Sequence, residues 1–142
     1  SIALWFSFVF FFKLKTAFEV SACRLGSEMW IGDRGTCGRE LYGPVKDWYA
    51  DHQAADNVWA FDKTRYSSFA GTDLDLRLRE RHVDTLHLVG VCTDICVLHT
   101  AVDAYNLGYQ LVIHQDAVAS FDAAGHEWAL RHFKNSLGAT IV

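Results

Sequence analysis

Residues 90–101 read Gly-Val-Cys-Thr-Asp-Ile-Cys-Val-Leu-His-Thr-Ala, and the reading of this stretch decides the fold. The apolar run Leu86–Val91 leads into it, and an amphipathic pattern from Ile95 to Leu107 leads out of it. A buried strand that passes directly into a helix is half of a βαβ unit. The turn between them places Cys96 in the first helical turn. There it faces backbone N–H groups that have no partner inside the helix, and the positive end of the helix dipole. Both favour thiolate, the nucleophilic form of cysteine. A free cysteine is more commonly a small buried hydrophobe. The strand–turn–helix setting argues for a nucleophile instead. So does a lysine upstream, in Phe61-Asp62-Lys63-Thr64-Arg65-Tyr66-Ser67-Ser68-Phe69, which follows a second short apolar run, Val58-Trp59-Ala60-Phe61.

Outward from that stretch, strand and helix patterns alternate. Val83–Val89 reads as a strand apolar enough to be buried on both faces. A helix is predicted over 94–107 with Gly108 as its stop, then a strand at Tyr109–Ile113. A second helix is predicted over 122–137, stopped by Gly138, and then a strand at Ala139–Val142. Upstream, Val58–Phe61 reads as a strand. A helix from Thr72 to about His82 has Thr72 as N-cap and Asp75 as a weak capping-box partner. Arg77, Arg79 and Arg81 fall late in that helix, where cations suit the dipole, and read as a solvated face. Two helices end in Leu-Gly and pass straight into a strand, which is the punctuation of a parallel sheet with helices on both faces. The expected architecture is therefore α/β, a three-layer α/β/α sandwich with a mostly parallel sheet. In such sheets sites lie beyond the carboxyl ends of the strands, and Lys63 and Cys96 both follow predicted strands.

Composition narrows the class. A chain of 142 residues suits one domain, and a net charge of −4 gives no footprint for nucleic acid. The four cysteines, Cys23, Cys37, Cys92 and Cys96, form neither a disulfide framework nor a Cys-x-x-Cys pair, which points to a reducing cytoplasm. Residues 1–12 are apolar but shorter than the ~20 needed to span a bilayer, and no basic region precedes them, so neither a membrane partner nor a signal peptide is expected. His126 and His132 are six apart on one predicted helix, which is not a metal-ligand spacing. His99 follows Cys96 on the same helix, whereas a Cys–His pair is normally assembled from separate elements.

With both segments in view, the chain resembles the isochorismatase-like cysteine hydrolases, nicotinamidase type. The resemblance rests on Lys63 with Tyr66-Ser67-Ser68-Phe69, on Gly71-Thr72-Asp73-Leu74, and on Gly90-Val91-Cys92-Thr93-Asp94-Ile95-Cys96-Val97. It continues through Thr100-Ala101-Val102-Asp103-Ala104 and Leu107-Gly108-Tyr109, and upstream through Gly35-Thr36-Cys37-Gly38-Arg39-Glu40-Leu41-Tyr42-Gly43-Pro44. It covers residues 35–142 as a partial hydrolase domain and leaves 1–34 as an unassigned, atypical segment. It implies hydrolysis of a small carboxamide such as nicotinamide through a thioester on Cys96, with Lys63 beside the thiolate. The backbone N–H groups of Cys92 and Cys96 would form the oxyanion hole, and the peptide bond Val91–Cys92 would be cis. Tyr66 and Phe69 are the candidate pocket walls for a flat ring. Asp94, or Thr93, would cap the helix that carries Cys96. A homo-oligomer is a further possibility of the family.

The resemblance also implies groups that this sequence does not carry. The family has a catalytic aspartate at the end of its first, central strand, whereas no acidic residue here precedes Glu19. It holds a divalent metal (zinc, manganese or iron) through an Asp-x-His motif and another histidine, whereas no histidine here precedes His52. No metal ligand or other cofactor site is therefore expected. Match and departure meet near residue 35, as a frameshift, a truncated gene or a diverged N-terminus would produce. Two alternatives to an impaired amidase stand beside it. One is a non-catalytic remnant that keeps a binding or oligomerisation role. The other is a related hydrolase of another small amide.

Overall fold

The computed structural model describes residues 7–9, 44–56, 58, 59, 61, 63 and 65–142. They divide into two compact units. The first holds strand β1 (Ser7–Val9) and the chain from Phe61 onward. The second is described mainly by helix α1 (Pro44–His52), which starts on a proline whose fixed φ suits a first turn. In α1 the His52 ring bonds the Trp48 carbonyl at 2.7 Å and stacks on the indole. Neither β1 nor α1 was foreseen from the sequence.

In the first unit α2 (Leu74–Glu80) is followed by β2 (Thr85–Val91), a π-helical turn (Thr93–Val97) and α3 (Leu98–Asn106). Then come β3 (Gln110–Ala119), α4 (Ala123–Ser136) and β4 (Thr140–Ile141). The sheet order is β1-β2-β3-β4 and every pair is parallel. The expected α/β architecture with a parallel sheet is what the structure shows. Each connection advances to the next strand in the same direction, so right-handed crossovers bring α3 and α4 to the same face. Leu86 and Leu88 of β2 and Leu111 and Ile113 of β3 alternate onto that face. They pack with Val97, Ala101 and Ala104, and with Ala129 and Phe133 of α4. Gly108 and Gly138 adopt the positive φ that stops α3 and α4, as their places after Leu107 and Leu137 predict.

Three local expectations need correction. Val58, Trp59 and Phe61 are not a strand: the Val58 N–H is taken by the Ala55 carbonyl at 3.0 Å in a turn, and Phe61 packs on the core. Lys63 therefore follows an irregular segment, not a strand end. Thr72 does not begin a capping box, because α2 starts two residues later and Asp73 stands at its N-cap. Thr72 still accepts the Leu74 N–H at 3.3 Å, while Asp75 bonds Tyr109 Oη at 2.7 Å and Arg79. Arg79 is likewise more than a solvated cation, since it lies over the Tyr109 ring and donates to the Leu107 carbonyl. Burial and the Asp75 bond push the Tyr109 phenol up to about 12.

On the opposite face of the sheet, His87 Nδ1 and His114 Nε2 lie 2.9 Å apart. Burial, then the neighbouring His114, hold the His87 pKa below its ordinary 6.5. The unfolded chain thus protonates His87 at a pH where the fold still resists it. The stability this contributes is complete above the unfolded value and is lost as pH falls through that value toward the folded one. The urea midpoint is expected to drop between about pH 7.5 and about pH 5.5, and His87→Gln should flatten that drop. An unchanged slope in the variant would contradict the assignment.

Candidate active site

β2 ends at Val91, and the Val91–Cys92 peptide bond is cis, as the resemblance implies. Cys92 is extended and stands at the cap position of the π turn, and its carbonyl accepts from the N–H groups of Ile95 and Val97, both at 3.1 Å. Cys96 lies inside this turn, half-buried, just past the carboxyl end of a central strand. The sequence placed it in the first turn of a helix. The turn is π rather than α, a wider geometry that recurs at functional sites.

A second segment meets this turn. β2 and β3 pair Leu88 with Ile113 and then Gly90 with Val118, so one residue on β2 (Val89) faces four on β3 (His114–Ala117). Past this irregularity β3 pairs with β2 again at Gly90↔Val118 and Val91↔Ala119, which sets Ser120 against the π turn. Ser120 Oγ donates to Asp94 Oδ1 at 2.6 Å. α4 then begins with Asp122 as its N-cap, accepting the Ala124 N–H at 3.1 Å. One turn into α4, His126 Nδ1 lies 2.8 Å from Oγ1 of the fully buried Thr93. Gly125 lets the two elements approach: a Cβ there would run into the Asp94 carboxylate. The expectation that Asp94 or Thr93 caps the Cys96 helix is therefore corrected. The turn has no side-chain cap, because both side chains are drawn across to the β3–α4 junction.

The two thiols differ in setting. Burial, followed by the nearby Cys96 and Asp94, pushes the Cys92 thiol up. Cys92 thus keeps its proton more firmly than an ordinary thiol. Lys63 is half-buried and donates to the carbonyls of Arg65 at 3.0 Å and Tyr66 at 3.2 Å, so its ammonium is wrapped by the chain that follows it. That segment is tied to α3. The Ser68 N–H donates to Thr100 Oγ1 at 3.1 Å, and the exposed Tyr66 ring lies against His99 at 5.3 Å. Thr100 is one turn beyond Cys96, so the lysine segment and the cysteine helix share a boundary. Phe69 turns toward the core and stacks on Tyr109 at 5.9 Å. His99 bonds its own helix at the Ile95 carbonyl, and His132 stacks on Trp128.

The sequence reading missed Ser120, Gly125 and His126 as parts of the site. Gly125 carried the usable signal, because a glycine inside a helix costs about 1 kcal/mol against alanine and usually marks close packing.

The chain belongs to the isochorismatase domain family, whose model matches residues 20–142. Among curated relatives, the isochorismatase family protein PncA of Bacillus subtilis is 60% identical over 109 residues, which are 77% of this chain and 60% of that protein. Among solved structures, the nicotinamidase PncA from Bacillus subtilis aligns with TM-score 0.76 and 65% identity, covering 77% of this chain and 60% of the other. The pyrazinamidase/nicotinamidase from Streptococcus mutans UA159 aligns with TM-score 0.76 at 59% identity and the same coverage. The chain thus spans 60% of the length of these relatives. A pyrazinamidase of Pyrococcus horikoshii solved in complex with zinc aligns with TM-score 0.53 at 41% identity, covering 57% of this chain and 45% of that one. Among the described residues here, no group of three or more His, Cys, Asp or Glu side chains could hold a metal ion. The first histidine in the sequence, His52, is engaged within α1. The described residues do not fit a resident metal.

Gly125→Ala tests the close approach. Helix propensity alone favours alanine by about 1 kcal/mol. The added Cβ must push Asp94 off Ser120, and a hydrogen bond to a charged group is worth roughly 1.5–3 kcal/mol. Net destabilisation is expected in thermal or urea unfolding, and a stabilised variant would contradict the packing described.

Proposed function

We propose that this chain carries the cysteine half of a nicotinamidase-like amidohydrolase acting on a small aromatic carboxamide, and that as it stands it turns over slowly. The observation that carries the reading is Cys96 in a π turn at the carboxyl end of β2, with the Lys63 segment tied through Tyr66 and Ser68 to the helix that follows the turn. The nicotinamidase names borne by relatives about 60% identical support the substrate class.

The chemistry follows from these residues. Cys96 Sγ attacks the amide carbon and the carbonyl oxygen becomes an oxyanion. The N–H groups of Cys92 and Cys96 receive that charge, and the Lys63 ammonium favours both the thiolate and the oxyanion. The C–N bond breaks, ammonia departs with an added proton, and water cleaves the thioester to give the acid and the free thiol. Tyr66, exposed next to α3, is the first candidate for the pocket wall, with Phe69 behind it on Tyr109. No helix among the described residues is long and apolar enough to cross a membrane. A cytoplasmic location and self-association remain part of the proposal.

The weak point is the proton for the leaving amine. β1 lies parallel to β2 on the side opposite β3, at the edge of the described four-stranded sheet. The residues after it are Phe10-Phe11-Phe12-Lys13, with no acid among them. Loss of a general acid/base commonly costs about 10²–10⁴-fold. The same observation favours a second reading, a remnant that binds without turnover.

An ammonia-release assay on nicotinamide tests this. The present chain is expected to be at least about 10²-fold slower than the full-length Bacillus subtilis nicotinamidase. Grafting the N-terminal segment of that enzyme before residue 35 should restore turnover, and Cys96→Ala in the graft should abolish it. Robust, chelator-insensitive, Cys96-dependent turnover by the present chain would falsify the impairment.

A further inference from the structure

The π turn that presents Cys96 has no cap of its own, so its orientation must be set from outside. Two consecutive residues at its start, Thr93 and Asp94, are each held by the segment from Ser120 to His126. Thr93 Oγ1 meets His126 Nδ1 at 2.8 Å, and Asp94 Oδ1 accepts from Ser120 at 2.6 Å. Thr93 is fully buried, so its side of the bond to His126 is shielded from water. Gly125 leaves room for the Asp94 carboxylate, which an added Cβ would meet.

We propose that this segment is a clamp that fixes the π turn, and that Ser120 and His126 act through Asp94 and Thr93 as positioning residues for Cys96. The proposal rests on the reading of Cys96 as nucleophile. It follows from where the clamp grips. Thr93 and Asp94 lie between the two residues whose N–H groups would receive the oxyanion. A rotation of the turn would therefore move the sulfur and both donors together. Misplacement by about 1 Å at a reacting centre can cost about 10²-fold. A turn with no cap of its own would not hold that tolerance unaided.

The test uses the full chain and two readouts. Cys96 and Cys92 are alkylated with iodoacetamide across a pH series and followed by peptide mass spectrometry, and hydrogen exchange is measured on the peptide spanning residues 92–97. Thr93→Val removes the hydroxyl at nearly constant shape, His126→Ala removes the ring, and His126→Asn returns a polar atom near the Nδ1 position. Thr93→Val and His126→Ala are each expected to slow Cys96 alkylation at pH 7 by about tenfold and move its rate–pH profile upward, the size of one hydrogen bond's net worth. Both should speed exchange in the turn by a similar factor, and His126→Asn should recover most of each effect. Thr93→Val is near-isosteric, so it keeps the test alive should His126→Ala fail to fold. Cys96 rate–pH profiles in Thr93→Val that superimpose on the parent's would overturn the positioning role, and unchanged exchange would overturn the clamp itself. A parent chain in which Cys96 reacts no faster than Cys92 would instead sink the nucleophile reading, while the exchange data would still decide the clamp.

Discussion

β2 is paired in parallel on both edges, with β1 on one side and β3 on the other, and that constraint governs the geometry of the rest of its unit. A strand bonded on both edges cannot slip without breaking two ladders, and a slip of one residue would turn Leu86 and Leu88 out of the core. Its carboxyl end is therefore a fixed point, and the Cys92–Cys96 turn starts from it. β3 follows the same register until Ile113, departs over four residues, and returns at Val118. The return is what delivers Ser120 to Asp94. The site is thus a consequence of sheet register at one end and of a local departure from that register at the other.

The parts that were legible in the sequence are those set by local chemistry. The apolar run through Leu86 and Leu88, the Leu-Gly stops at Gly108 and Gly138 and the placement of Cys96 after a strand depend on near neighbours in the chain, and the structure has each of them. The parts that were not legible depend on distant partners. Asp94 looks like a cap because caps are the commonest use of an aspartate near a helix start. Its partner, Ser120, lies 26 residues away, and nothing local identifies it. His126 was weighed only as a metal ligand, whereas its Nδ1 is bonded to Thr93 across 33 residues. Val58–Phe61 reads as a strand by composition, but a turn bond from Val58 to Ala55 overrides that preference.

Family and activity stand on different footings in this chain. The family follows from residues 20–142 as a whole. The proposed activity calls on a few groups, of which a cysteine and a lysine are present and an acid directly after β1 is not. Thiolate attack, oxyanion binding and leaving-group protonation are separable requirements, so a chain can keep the first two and lose the third. Such a chain would bind and react with an electrophile while failing to release ammonia. The lysine segment is tied to α3 through Ser68 and Thr100, so the surroundings of the proposed nucleophile include long-range bonds within the same unit.

A pyridine bearing a chloroacetyl group in place of the carboxamide tests the central claim most directly, because a thiolate displaces its chloride with no proton needed by the leaving group. The account predicts a single adduct on Cys96, formed with a rate that saturates in reagent and is slowed by added nicotinate. Peptide mapping that instead finds the adduct spread over Cys23, Cys37, Cys92 and Cys96 at rates linear in reagent would contradict it.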